Sequence, residues 1–165
     1  VVAYCAAVIA AQEGARPVLV GYNGRERVAA IADSIRTRFG VAVEAADGSD
    51  QAGRLAAARD AEVILSAAAA GVQVLSAEDL TQAGRLLVAA DVNAVPPAGI
   101  AGIDVNADAV PLPSGRGVGI GALAIGNVKY GTQAGLFRRL LQADQPLVLD
   151  FRDAYRLAVE LTGQA

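Results

Sequence analysis

Residues 1–23, VVAYCAAVIAAQEGARPVLVGYN, decide the fold class. Residues 1–11 are small or apolar throughout, with no alternation and no polar face, so a helix made from them is expected to be buried on most sides. Gly14 ends it. The run from Arg16 to Val20, with Pro17 near its start, leads into Gly21, Tyr22 and Asn23, which predicts a strand finishing in a turn. Helix followed by strand is the second half of a βαβ unit.

A dinucleotide-binding βαβ unit places a strand and a glycine-rich turn ahead of this helix, because the free N–H groups at its start hold the pyrophosphate. Ala3 fits the last position of a G-x-G-x-x-[G/A] fingerprint, with Val1 and Val2 just before it and the two glycines upstream of Val1. The chain has no methionine, which adds to the expectation that Val1 lies inside a longer polypeptide. The rival reading of the same residues is a plain alanine-rich core helix in another α/β domain.

A length of 165 residues fits one domain, and 54% hydrophobic residues with only 4% aromatics suits helices packed closely on a parallel sheet. A net charge of −3 leaves no clustered basic face for nucleic acid. No apolar run approaches the ~18 residues of a membrane span. No secretory signal is present, so a cytoplasmic location is expected. One cysteine and no histidine exclude a Cys/His metal site and a Ser-His triad within the segment. Cys5, inside the apolar helix, reads as a small buried side chain.

Along the chain, Asn23 with Glu26 predicts a capped helix whose face of Val28, Ile31, Ala32, Ile35 and Phe39 is closed by Gly40. Residues 41–46 read as a strand followed by the turn residues Asp47 and Gly48, 50–58 as a modest helix, and 61–66 as another strand. Ser76 with Asp79 caps a helix expected to stop at Gly84, and residues 86–90 form the next strand. After Asp91 the prolines at 96, 97, 111 and 113 and the many glycines make a long irregular region, with one short strand at 118–120. Helices from about 125 to 141 and from 151 to 161, the latter capped by Asp150 and ended by Gly163, complete the chain. This alternation predicts an α/β domain with a doubly wound parallel sheet, Rossmann-like, whose first strand and Gly-rich turn are missing from the chain.

Ligands bind beyond the carboxyl ends of the strands in such a sheet. The rule selects residues 21–27, 66–71, 91–99 and 119–127. An NAD site usually has Asp or Glu at the end of the second strand for the ribose 2′-OH, whereas this chain has Gly21, Tyr22 and Asn23, then Arg25 and Arg27. A guanidinium binds a 2′-phosphate that a carboxylate would repel, so NADP is favoured. NAD remains open because Asn23 can hydrogen-bond a bare ribose, and both arginines also read as a solvated first turn. Ser66, Ala67 and Ala68 end their strand in side chains small enough for a nucleotide to approach. The run 119–124, GIGALA, also satisfies the fingerprint and is a rival phosphate loop. Alternatively Gly121 lines the cofactor crevice from the last strand.

Residues 91–104, DVNAVPPAGIAGID, are the most distinctive in the chain. They resemble the cofactor-domain signature of the bacterial NAD(P)-dependent methylene-tetrahydromethanopterin dehydrogenases and their methylene-tetrahydrofolate relatives, which carry a similar Asp-x-Asn-Ala-x-Pro-Pro-x-Gly-Ile-x-Gly-Ile-Asp run. The likeness extends from Val1–Ala3 through Gln12–Ala15 and Ala32–Ser34 to Ala124–Lys129. The departures are the absent glycine turn and the absent N-terminal pterin-binding domain, so residues 1–165 are expected to be the cofactor domain of a two-domain protein.

The resemblance implies oxidation of the methylene bridge of a reduced pterin carrier to the methenyl form, with hydride passing to the nicotinamide. Such a step demands placement and exclusion of water more than acid–base groups. By analogy of position, Asp91, Val92 and Asn93 lie near the nicotinamide ribose or carboxamide, and Lys129, the only lysine, reaches the pterin or its anionic tail. Against these stand two plainer readings, Asp91 as a cap on the Pro-Pro turn and Lys129 as a solvated helix lysine. A homo-oligomer is expected. Two other functions fit the same domain, a shikimate- or quinate-type dehydrogenase and a nucleotide-sensing domain without catalysis.

Overall fold

The computed structural model describes residues 1–163. The apolar opening forms helix α1 (Val2–Gln12), and Gly14 turns the chain into strand β1 (Val18–Gly21). Only Ala7 and Val8 of α1 are fully buried, against the expectation of burial on most sides. The helix has one covered face, on α2 (Arg25–Phe39) and β1, while Val1 and Val2 are exposed. Cys5 is half-buried for the same reason, and desolvation raises its thiol pKa.

Helix α2 begins one residue later than expected. Gly24, at φ +88°, is the N-cap, and no side-chain cap bond is made, so the Asn23–Glu26 capping box does not form. Glu26 still sits in the first turn, where it favours the positive end of the helix. Val28, Ala32 and Ile35 are buried, but Ile31 is exposed because that side of the helix overhangs an open recess. Gly40 closes the helix in the left-handed region at φ +70°, as expected.

Strand β2 (Glu44–Asp47) pairs parallel with β1, Gly21 lying opposite Asp47. It starts later than expected because Val41 and Val43 turn into the core beside Tyr4, Leu19, Phe39 and Phe151. Helix α3 (Gln51–Arg59) is capped by Asp50, whose carboxylate accepts from the Gly53 N–H at 2.7 Å. Strand β3 (Val63–Ser66) follows, then α4 (Ala77–Thr81) with a complete Ser76–Asp79 capping box. That helix ends at Thr81, short of Gly84. Strand β4 (Val88–Asp91) pairs parallel with β3.

The proline-rich region holds a strand that its composition conceals. Strand β5 (Val110–Pro111) pairs antiparallel with β6 (Val118–Ile120), which is itself parallel to β4. Helix α5 (Ala122–Leu141) begins three residues before the expected start at 125, and α6 (Phe151–Thr162) has an Asp150–Asp153 capping box with Gly163 at its end.

The architecture is α/β with parallel strands, divided into a pair β1-β2 and a sheet in the order β3-β4-β6-β5. The pair shares a small core with α1, α2 and the start of α6, where Phe39 meets Tyr4 and Phe151 edge-on at 6.0 and 5.6 Å. The larger core lies in the second half, around Leu75, Leu80, Leu86, Ile100 and Ile103. Among the described residues no helix is long and apolar enough to cross a membrane.

Candidate functional site

All parallel strands of a sheet end on the same side, so the pairings group the expected site residues at two places. Across β3 and β4, Ser66 is the register partner of Asp91, and the Val92 N–H donates to the Ser66 carbonyl at 3.1 Å. Across β1 and β2, the Gly48 N–H donates to the Gly21 carbonyl at 2.9 Å, setting the turn 47–50 beside Tyr22 and Asn23.

The Asp91 side chain is 2% exposed and committed to its own loop. One carboxylate oxygen accepts from the Asn93 N–H at 3.1 Å and the other from the Ile100 N–H at 3.2 Å. Asn93, also buried, donates through its amide to the Pro97 carbonyl at 3.0 Å and accepts from the Val95 N–H at 2.9 Å. The loop includes a cis Pro96–Pro97 bond and is joined to residues 74–75 by backbone bonds through Gly99 and Ala101. Both side chains therefore hold the loop in shape, and what the loop turns outward is backbone and the small or apolar residues Val92, Ala94 and Val95.

Gly99 shows how closely this corner is packed. A Cβ there would lie 2.4 Å from Ser66 Oγ and 2.8 Å from an Asp91 carboxylate oxygen. Ser66 is 4% exposed, and its hydroxyl has no hydrogen-bond partner among the described residues. A buried hydroxyl left unpaired costs about 1–3 kcal/mol, and this one is enclosed in the corner between Gly99 and Asp91. Ala67 and Ala68 beside it are half-buried and present no bulk.

Arg25 and Arg27 are exposed in the first turn of α2, as are Tyr22 and Asn23 ahead of it. No carboxylate stands at the end of β1, but one stands across from it. Backbone and side-chain hydrogen bonds from Ser49 lower the Asp47 pKa, and Arg25 contributes in the same direction. Residues 47–50 are the site segment that sequence reasoning passed over. The carboxyl-end rule applied to β2 selects them as it selected the other four.

The two candidate phosphate loops are distinguished by their backbone bonds. At α5 the Gly121 and Leu123 N–H groups already donate to the Ala107 and Val105 carbonyls at 2.8 Å each. A Cβ at Gly121 would meet the Asp104 carbonyl oxygen at 2.1 Å, so this glycine is required by chain packing. At α1 no side chain caps the start, and the first helical bond is that of the Cys5 N–H to Val1. Val1 and Ala3 line an apolar recess of about 550 Å³ together with Val20, Gly21, Val28 and Ile31, which brings the start of α1 to the end of β1. Lys129 is exposed on α5.

A turn bearing two guanidinium groups and a small-residue wall at the carboxyl ends of the strands fit an extended anionic dinucleotide. Among the described residues no cluster of His, Cys, Asp and Glu is arranged to hold a metal ion.

No family model matches the chain. It is 66% identical over 163 residues to the NAD(P)-dependent methylenetetrahydromethanopterin dehydrogenase of Methylorubrum extorquens (strain ATCC 14718 / DSM 1338 / JCM 2805 / NCIMB 9133 / AM1). That match takes in 99% of this chain and 55% of the relative, so the chain spans about half the length of the curated protein it is similar to. The resemblance read from residues 91–104 is borne out along nearly the whole chain.

Proposed function

We propose that residues 1–165 are the dinucleotide-binding domain of an NAD(P)-dependent dehydrogenase of one-carbon metabolism, which oxidises methylene-tetrahydromethanopterin or its tetrahydrofolate counterpart to the methenyl form. The observation that carries this reading is the 66% identity across 99% of the chain to a dehydrogenase of that name.

In this reading the sheet is doubly wound, and one further parallel strand, supplied from ahead of Val1, lies between β1 and β3. Each of those strands pairs on one side only, and alternate residues Val18, Val20, Val63 and Leu65 are exposed. A glycine turn after that strand leads into α1, beside the recess at Val1 and Ala3. Val2 and Ala3 would hold the pyrophosphate through their N–H groups, and Tyr22, Asn23, Arg25 and Arg27 would hold the adenosine end. With no acid at the end of β1, the two arginines select NADP, and Asn23 leaves NAD usable.

The nicotinamide end lies against Ser66, Ala67 and Ala68 and the outer backbone of Asp91, Val92 and Asn93, with Gly121 behind. A nicotinamide held there would supply the acceptor for the hydride of the methylene bridge, the pterin nitrogen lone pair closing the C=N bond as the C–H bond breaks. No proton leaves in that event, so the chain needs no general base. Its residues orient, exclude water and fix the loop. Lys129 serves the anionic tail of the pterin carrier. The protein acts in the cytoplasm as a homo-oligomer, without nucleic acid or membrane.

The test is turnover by the longer polypeptide, followed as NADPH formation with methylene-tetrahydromethanopterin. Binding of NADP with no hydride transfer rejects the enzyme and leaves a nucleotide-sensing domain. Oxidation of shikimate or quinate instead moves the chain to the other dehydrogenase class.

A further inference from the structure

We propose that the outer face of α5 is the docking surface for a helix from the part of the longer polypeptide outside residues 1–165. This rests on the reading that the chain is one domain of a two-domain dehydrogenase. Leu123, Asn127, Tyr130, Ala134, Phe137 and Leu141 follow one another at alternating spacings of four and three residues, the seam of a helix that meets another helix lengthwise. The seam runs for roughly 27 Å at 1.5 Å per residue. Its large members are uncovered: Leu123 is 51% exposed, Tyr130 76%, Phe137 58% and Leu141 86%.

The opposite face of α5 is already occupied. Gly131 and Gly135 approach Leu161 and Leu157 of α6, and Arg139 pairs with Glu160 at 2.7 Å. On the free face Tyr130, Gln133, Ala134 and Phe137 enclose a groove of about 300 Å³, wide enough for the side chains of a crossing helix.

Charge decides between possible occupants. Helix α5 carries Lys129, Arg138 and Arg139 and no acidic residue. A second copy of α5 would bring Lys129 and Arg138 of the two copies together with no carboxylate on either helix to neutralise them, Arg139 being already paired with Glu160. A helix with aliphatic residues along its seam and carboxylates beside it fits. The relative's sequence has room for one, since nearly half of it lies outside the match. Helix α5 also starts at Gly121, at the carboxyl end of β6, so a helix docked along it would join the rest of the polypeptide to the cofactor crevice.

The experiment uses the full-length polypeptide with Phe137→benzoylphenylalanine, prepared as an equal mixture of light and heavy isotope-labelled protein and irradiated. The expected product is a crosslink within one polypeptide, from position 137 to a helical segment outside residues 1–165 with apolar residues three and four apart. Crosslinks joining light to heavy α5 assign the face to a second copy and overturn the proposal. So does capture no greater than at an outward control position, Arg36→benzoylphenylalanine on α2. In a second measurement, Tyr130→Glu with Phe137→Glu should raise hydrogen exchange in the captured segment at least tenfold while α6 is unchanged. Loss of protection throughout α5 and α6 would mean the variant fails to fold, and the crosslink then decides alone. Turnover is not read, so failure of the dehydrogenase reading leaves this result standing on its own.

Discussion

Asp91 and Ile100, nine residues apart in the chain, are joined by a buried hydrogen bond in which the Ile100 N–H donates to the Asp91 carboxylate at 3.2 Å. The other carboxylate oxygen takes the Asn93 N–H, so one side chain closes both ends of the loop that follows β4. Asp91→Ala orphans two N–H groups in a buried place and should cost about 2–6 kcal/mol, each lost partner contributing about 1–3. Asp91→Asn keeps one acceptor and should cost roughly half. Denaturant unfolding of the longer polypeptide measures both. Unchanged stability with a raised KM for NADP would instead make Asp91 a direct cofactor contact.

Gly99→Ala forces a Cβ against Ser66 Oγ and Asp91, and overpacking of this kind costs about 1–3 kcal/mol. Ser66→Gly removes the nearer obstacle. The double variant should therefore be more stable than the two single effects added together, by about 1 kcal/mol. Strict additivity would mean that the loop moves away from β3 when Gly99 is replaced.

Arg25→Ala with Arg27→Ala should raise the KM for NADP by about 10–100-fold, since charge-assisted bonds to a phosphate contribute about 1.5–3 kcal/mol. The KM for NAD should change by less than about threefold. Equal losses with the two cofactors would remove the arginines from 2′-phosphate recognition.

Asp79 links the halves of the chain, accepting from the Gln51 amide at 3.0 Å and the Ser76 N–H at 2.7 Å. Burial by itself would raise its pKa, but the bonds from Ser76 and Gln51 outweigh this and the net shift is downward. Asp150 is held at about 2 by Arg152 and the backbone. Groups lowered on folding contribute stability that is present above the unfolded carboxylate value of about 3.9 and is lost as pH falls through the folded value. Stability should thus be flat from pH 7 to about 5 and decline between about 4 and 2. Asp79→Asn should be less stable at pH 7, by about 1 kcal/mol for a weakened cap, with a shallower decline in acid. A decline as steep as that of the unaltered protein would assign the acid sensitivity to the other carboxylates.

How far the sequence disclosed this structure depended on how locally each feature is determined. The box at Ser76–Asp79, the cap at Asp150 and the left-handed end at Gly40 are fixed within four residues and are legible there. Asn23 looked equally good as a cap and lost to Gly24, because the turn after β1 uses a positive φ that only the assembled β1-β2 pair dictates. Strand β5 exists through its pairing with Val118 and Gly119, which no periodicity in a two-residue run could reveal. In the candidate site, Ser66 and Asp91 were found by the carboxyl-end rule. The inward turn of Asp91 was not, since its partner Ile100 becomes a neighbour only when the loop folds back, and Asp47 was missed although the same rule covers it.

The free edges of β1 and β3 supply the sharpest test of the sheet. Strand β4 is paired on both sides, by β3 and β6, while β2 is paired on one side only. These two strands are internal standards for a central and an edge position. If a strand from ahead of Val1 lies between β1 and β3, residues 18–21 and 63–66 in the longer polypeptide should exchange their amide hydrogens as slowly as residues 88–91. They should also exchange about 100-fold more slowly than residues 44–47, a difference of about 3 kcal/mol in opening free energy. Exchange of β1 and β3 at the rate of β2 would leave both edges unpaired. The α1 start would then have no glycine turn behind it, and the pyrophosphate would have to be placed elsewhere in the chain.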